Sequence, residues 1–227
     1  MQPVENAVIA AAGLGSRLGH GLPKCMLEIG GRTLLSRMID SLTPHVRRIH
    51  VVVGYREDLV INLCSNLHRN VVIVRNPDFR STNTVQSMAS GARGLSGKTI
   101  FLDGDLIIDP SSLGDFARMA AEHDTVAAIA LSRSENAVNV DLSAPPGAEE
   151  TTFISGFTRE ADRLYEWANV VSGDSRLLDH GSGYVYEELE KLTPLCASLL
   201  ELREIDTPRD LEMAEKFAKH LDAGNQL

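Results

Sequence analysis

Three short stretches of this 227-residue chain combine residue types that handle anions and cations. The first runs from Ala12 to Lys24, leaving an apolar strand. Gly13, Gly15, Gly19 and Gly21 let backbone N–H groups approach an anion closely. Arg17 and Lys24 add two cations suited to a polyphosphate, and Pro23 sets the backbone just before Lys24. A surface turn with solvated charges would have the same composition. The second stretch is Asp103-Gly104-Asp105. Carboxylates at the end of a buried strand are unfavourable unless they ligate a metal, cap a helix or face a cleft. Mg²⁺ beside a nucleotide takes one or two such groups, and a turn stabilised by aspartate side chains is the alternative. In the third, Glu204-Ile205-Asp206-Thr207-Pro208, a late strand meets the last helix, and Asp206 alone reads as a carboxylate near a helix dipole.

Two widespread phosphate motifs do not account for these residues. A dinucleotide fingerprint would need glycine where Leu18 stands. The segment Ala92-Arg93-Gly94-Leu95-Ser96-Gly97-Lys98-Thr99 fits a relaxed P-loop pattern. Its order is reversed, however, because a P-loop follows a strand and opens a helix. Here a helix precedes it and a strand follows.

The elements that must position these groups alternate. Strands are expected over Asn6 to Ala11, His50 to Gly54, Asn70 to Arg75, Lys98 to Leu102 and Thr125 to Leu131. Between them, Thr33 to Leu42, Glu57 to Leu67 and a segment capped by Thr82 or Asn83 carry apolar residues at helical spacing. Asp109-Pro110 opens a further helix to about Glu122. This alternation specifies an α/β fold with a mostly parallel sheet covered by helices on both faces. From Ser132 to about Asp162 the pattern breaks, and Pro145-Pro146-Gly147 marks the turn of a small antiparallel insertion. A helix over Ser182 to Leu192, a strand over Leu199 to Ile205 and a final helix from Thr207 to Leu221 complete the chain. Thr207, Pro208 and Asp210 form the start signal of that last helix.

A chain of this length with 43% hydrophobic residues can bury one substantial core, so a single domain spanning 1–227 is expected. The net charge of −9 argues against nucleic acid as a partner. Cys25, Cys64 and Cys196 are scattered and odd in number, as in reduced cytoplasmic proteins. The N-terminal apolar run of about six residues is too short for a signal peptide. No segment approaches the about 20 apolar residues of a membrane helix.

Taken in order, three motifs resemble the nucleotidyltransferase superfamily that activates sugar phosphates and small phosphorylated alcohols. They are Ala11-Ala12-Gly13-Leu14-Gly15-Ser16-Arg17-Leu18 with Pro23-Lys24, Phe101-Leu102-Asp103-Gly104-Asp105, and Glu204-Ile205-Asp206-Thr207-Pro208. The resemblance implies a Rossmann-like α/β enzyme that binds an NTP and Mg²⁺ and releases pyrophosphate. It makes Arg17 and Lys24 the catalytic cations, and Ala11 to Arg17 with Lys24, Asn83, Ser87 and Asp103 the nucleotide-binding set. Asp105 and Asp206 would hold the metal. Within the superfamily, Thr82-Asn83-Thr84-Val85-Gln86-Ser87 and Glu204-Ile205-Asp206 look most like small cytidylyltransferases acting on phosphocholine or aminoalkylphosphonates. That likeness implies CTP, with Glu204, Trp167 and Tyr184 facing the acceptor; aromatic faces suit a quaternary ammonium, although core packing accounts equally for such rings. The family often carries a lysine in this middle region, whereas here Lys98 is followed next by Lys191, and the cations between Ser132 and Lys191 are Arg133, Arg159, Arg163 and Arg176. Sugar-1-phosphate nucleotidyltransferases and molybdenum-cofactor-type guanylyltransferases share the pattern, and a nucleotide-sensing protein without catalysis would keep the fold. The insertion at 132–162 would serve as a homodimer contact or a lid.

Overall fold

The computed structural model describes residues 4–14, 21–68, 70–133, 136–147, 151–160 and 162–224. Gly15, Ser16 and Arg17 of the glycine-rich loop lie outside the described residues. In chain order the elements are β1 (Val4–Ala11), a 3-10 turn (Lys24–Met26), β2 (Glu28–Ile29), β3 (Arg32–Thr33), α1 (Leu34–Leu42), β4 (Val46–Val53), α2 (Glu57–Leu67) and β5 (Val71–Arg75). There follow α3 (Thr84–Ala92), β6 (Lys98–Asp103), β7 (Leu106–Ile108), α4 (Pro110–Glu122), β8 (Val126–Leu131), β9 (Asn139–Leu142) and β10 (Phe153–Thr158). The chain ends with β11 (Tyr165–Asp174), α5 (Val185–Glu190), β12 (Leu195–Leu199), β13 (Leu202–Glu204) and α6 (Pro208–Gly224).

Among the described residues, nine strands form one sheet in the order β5-β4-β1-β6-β11-β8-β12-β10-β9. Seven run in one direction, while β11 and β10 run in the other. In the half around β1 every neighbour is parallel, and Ala7, Val8 and Ile9 are fully buried because helices cover both faces. Ile9 and Ala11 pack with Leu35 and Ile39 of α1, Cys64 of α2 and Phe116 of α4. On the opposite face, Val8 and Ala12 pack with Val85 and Met88 of α3 and Val185 and Leu189 of α5. A third cluster seats Ala214 and Phe217 of α6 against Ile29, Leu34, Ile107 and Ile205.

The chain moves outward from β1 through β4 to β5, then returns to β6 on the other side of β1. Such a reversal opens a crevice outside the carboxyl ends of the two central strands, where open α/β sheets bind ligands. The glycine-rich loop and Asp103-Gly104-Asp105 leave β1 and β6 at that crevice.

The expected α/β architecture is present, with differences in its second half. The antiparallel insertion is the β9–β10 hairpin, which joins the main sheet through β12 and touches β11 at Glu166–Asn139. β11, a central antiparallel strand, was not anticipated, because Tyr165 to Asp174 mixes polar and apolar residues with no steady period. The strand expected over Leu199 to Ile205 is reduced to β13, β12 before it is an additional strand, and α5 is shorter than the helix expected over Ser182 to Leu192. No described helix is long and apolar enough to cross a membrane.

Candidate active site

A cleft of about 440 Å³ lies at the carboxyl ends of β1 and β6. Ala11, Ala12, Gly13, Leu14, Lys24, Asn83, Ser87, Asp103 and Asp105, all expected at the site, line it. Backbone contacts set its floor. The N–H of Gly104 donates to the carbonyl of Ala10 at 2.9 Å, and a Cβ at position 104 would come within 2.7 Å of that oxygen. Only glycine permits β6 to end so close to β1. The carbonyl of Ala12 accepts from the N–H of Tyr55 at 3.2 Å, which ties the start of the loop to the turn after β4.

Lys24 enters the 3-10 turn directly after Pro23, and the buried Cys25 anchors that turn in the core. Its Nζ lies 2.8 Å from Asp105 Oδ2 and also contacts Asp206 Oδ1. Residues 105 and 206 are distant in sequence, and the pairing of β7 with β13 brings them together. Glu204 is in register with Leu106, and the N–H of Ile205 donates to the carbonyl of Asp105 at 3.1 Å. Asp105 therefore faces Glu204 and Asp206 on either side of Ile205. Asp210 caps the turn beyond, accepting from the N–H groups of Asp206 at 3.2 Å and Thr207 at 2.8 Å. That is the helix-start signal expected at Thr207, Pro208 and Asp210.

Acidic groups dominate this end of the cleft. Oxygens of Asp105, Glu204 and Asp206 lie within 4.8 Å of one another. Burial first, and then Asp105 and Asp206, push the Glu204 carboxyl up to about 9. Burial and the charge of Asp105 raise Asp103 well above the usual carboxylate range. Burial acts to lower Lys24, but Asp105 and then Asp206 outweigh it and hold the ammonium above its usual value. Asp103 Oδ1 and Asp105 Oδ1 are buried with no hydrogen-bond partner. Clustered hard oxygen donors on Asp105, Glu204 and Asp206, with Asp105 Oδ1 unpartnered, fit a divalent cation such as Mg²⁺.

Other expected site residues have additional structural duties. Asn83 caps α3: its side chain accepts from the N–H of Gln86, and its Nδ2 donates to the carbonyls of Ser182 at 2.9 Å and Gly183 at 2.8 Å. Ser87 is buried and accepts from Asn76 Nδ2 at 3.0 Å. Trp167 is 7% exposed and meets Phe157 edge-on at 6.4 Å within the core. Tyr184 is 64% exposed and stacks on Tyr186, with the Arg159 guanidinium above both rings. The P-loop-like segment lies between the end of α3 and the start of β6, in the reversed order read from the sequence.

The structure adds residues that sequence reasoning missed. Phe79 and Arg80 line the cleft, and Arg80 is the one cation between Asn76 and Ser87, which could have singled it out. Asn169 Nδ2 donates to Glu204 Oε2 at 3.1 Å. Its signal was a lone amide between Ala168 and Val170 in an otherwise apolar stretch.

The family described as the MobA-like NTP transferase domain matches residues 7–197. The chain belongs to that family. Glu204 and Asp206 fall beyond the matched residues. The chain is similar to the bifunctional protein GlmU of Methanococcus aeolicus, with 32% identity over 107 residues, 46% of this chain and 25% of that protein. It is also similar to a 2-aminoethylphosphonate cytidylyltransferase of Lancefieldella rimae, with 33% identity over 108 residues, 45% of this chain and 44% of that protein. The chain thus spans less than half the length of these curated relatives. The solved CTP:phosphocholine cytidylyltransferase LicC of Streptococcus pneumoniae shares the fold at a TM-score of 0.71 and 16% identity, over 95% of this chain and 99% of that one.

Proposed function

We propose that this MobA-like NTP transferase moves a nucleotidyl group from CTP to a small phosphorylated or phosphonate acceptor, of the phosphocholine or 2-aminoethylphosphonate type, in an Mg²⁺-dependent reaction. An acceptor oxygen attacks the α-phosphorus of the nucleotide. One P–O bond forms there as the bond to the β-phosphate breaks, and pyrophosphate leaves with the electron pair. Because two anions must meet, positioning and charge neutralisation carry the catalysis.

The observation that carries this reading is the junction of Lys24 with Asp105 and Asp206 at the carboxyl end of β1 and β6. Lys24 offsets charge developing on the transferring phosphoryl group, while the loop amides after Ala12 receive the phosphates. Asp105 and Asp206 would hold Mg²⁺, with Glu204 beside them. Bound there, the ion supplies Lewis-acid stabilisation of phosphate oxygens. The exposed Arg80 offers the cleft a second described cation, and Arg17 is assigned the leaving pyrophosphate on the motif alone. The choice of CTP draws on the cytidylyltransferase names of the L. rimae relative and of LicC. The free, buried cysteines suit a cytoplasmic setting.

A second reading, a sugar-1-phosphate nucleotidyltransferase or a guanylyltransferase of the molybdenum-cofactor type, is favoured by the MobA-like description and the GlmU similarity. Pyrophosphate release measured with four NTPs, each crossed with phosphocholine, 2-aminoethylphosphonate and sugar 1-phosphates, separates the two. CTP with a phosphocholine or aminophosphonate acceptor is the expected active pair. Activity confined to GTP, UTP or dTTP with other acceptors would reject it. A nucleotide-sensing protein would bind NTP and release nothing.

A further inference from the structure

We infer that Asn169 is a positioning residue for nucleotidyl transfer, acting through Glu204; this rests on the reading of the cleft given above. Asn169 lies in β11, the antiparallel strand between β6 and β8. Ala168 and Val170 on either side are buried. Between Trp167 and Val171 the register of β11 against β8 shifts, and within that interval Asn169 takes a φ of 56°. Left-handed backbone is unfavourable for most side chains and is adopted by asparagine more readily than by other non-glycine residues. An irregularity of this kind re-aims a side chain out of the regular pleat. Here it directs an amide at the carboxylates, and Nδ2 donates to Glu204 Oε2 at 3.1 Å.

The chemical type suits the place. Glu204 is within 4.8 Å of the Asp105 and Asp206 oxygens, so repulsion from those two carboxylates acts on its own oxygens. A second acid at 169 would add to that repulsion, and a lysine would compete with Lys24 for the same oxygens. A neutral amide donor restrains Glu204 without changing the charge of the cluster. The β7–β13 ladder sets the backbone of Glu204, and Asn169 sets the direction of its carboxylate. Asn169 is therefore expected to influence cation binding and turnover only while Glu204 can accept its hydrogen bond.

A double-mutant cycle of Asn169→Gly and Glu204→Met, whose side chain has similar length but no oxygen acceptor, tests this. Glycine takes a positive φ without strain, so the fold is retained while the amide is lost; a melting temperature within a few degrees of the parent checks that. Mn²⁺ titration by calorimetry, without nucleotide, reads the site independently of turnover. Asn169→Gly is expected to weaken Mn²⁺ about tenfold, the lower end of the effect of losing a partner that orients a ligand. It should also lower kcat, with KM for CTP little changed. In the Glu204→Met background the same substitution should change both quantities less than twofold, because residues acting as a unit are not additive. A neutral Asn169→Gly variant, or effects that multiply independently of Glu204, would overturn the inference. Parent protein that binds Mn²⁺ and nucleotide but releases no pyrophosphate would overturn the proposed function, and the Mn²⁺ cycle would still decide the role of Asn169.

Discussion

The ammonium of Lys24 stands 2.8 Å from the carboxylate of Asp105 across a gap of 81 residues, and it touches Asp206 from a further element. One short turn after Pro23 thus unites three parts of the chain. Lys24→Ala and Asp105→Ala should each lower kcat at least about a hundredfold, the scale of removing one preorganised electrostatic group. Each variant should keep its circular-dichroism spectrum and melt cooperatively. Turnover near wild type in both would remove the pair from the chemistry.

Asn83 joins the cleft to the segment before α5, since the same side chain caps α3 and holds the carbonyls of Ser182 and Gly183. Asn83→Ala is expected to lose about 1 kcal/mol in urea denaturation, the usual value of a helix cap. Asn83→Ser keeps a capping oxygen but has no amide to bridge to 182–183. It should recover most of the stability while KM for CTP stays raised. Equal KM values in the serine variant and the parent would show that the bridge has no part in binding.

Arg159 lies with its guanidinium carbon 5.5 Å from the centre of the Tyr184 ring and 5.3 Å from that of Tyr186. A quaternary ammonium acceptor would compete for those faces. In Arg159→Ala, KM for phosphocholine should fall about two- to fivefold, equivalent to the about 0.5–1 kcal/mol of an exposed cation–π contact. KM for CTP should not move. A rise in KM for phosphocholine would assign Arg159 to the acceptor instead.

Two buried histidines make stability depend on pH. His50 bonds the Gly91 carbonyl at 2.8 Å and His68 meets the Ser36 hydroxyl at 2.8 Å. Burial lowers the pKa of both; at His50 the Gly91 hydrogen bond opposes this and Arg48 adds to it, while at His68 Asp40 opposes it and Arg32 adds to it. Groups with depressed values stay neutral in the fold while the unfolded chain takes up protons. Their contribution is complete above about pH 6.5 and is lost as pH falls through the folded values. Glu204 and Asp103, raised above the usual carboxylate range, have the opposite slope. The quantity to measure is therefore the difference in urea midpoint between the parent and His50→Gln or His68→Gln, in which that slope cancels. The parent should lose ground to each variant between pH 7.5 and 5.5, and a constant difference would contradict the assignment.

Much of this site was readable from residue order because its parts sit where strands end. The cleft lining at Ala11 to Leu14, Lys24, Asp103 and Asp105 follows from glycine, proline and aspartate placed directly after apolar runs. The parallel half of the sheet was equally legible, since its strands are apolar throughout and its helices carry one apolar face. β11 was not. Its irregular register and its central amide break the alternation by which a strand is recognised, so Asn169 passed unnoticed. The meeting of Glu204 with Asp105 depends on the β7–β13 ladder, a pairing of two three-residue strands that no local pattern announces. Trp167 and Tyr184 look alike as aromatic residues in a sequence, yet one is core and the other surface.

The most direct measurement is ³¹P NMR of CTP and 2-aminoethylphosphonate incubated with the protein and Mg²⁺. Cleavage at the α-phosphorus predicts pyrophosphate and a new phosphonate–phosphate anhydride appearing in equal amounts as the CTP signals decline, with neither formed by Asp105→Ala. CDP with inorganic phosphate, or CTP unchanged with every acceptor of the panel, would contradict nucleotidyl transfer at this cleft.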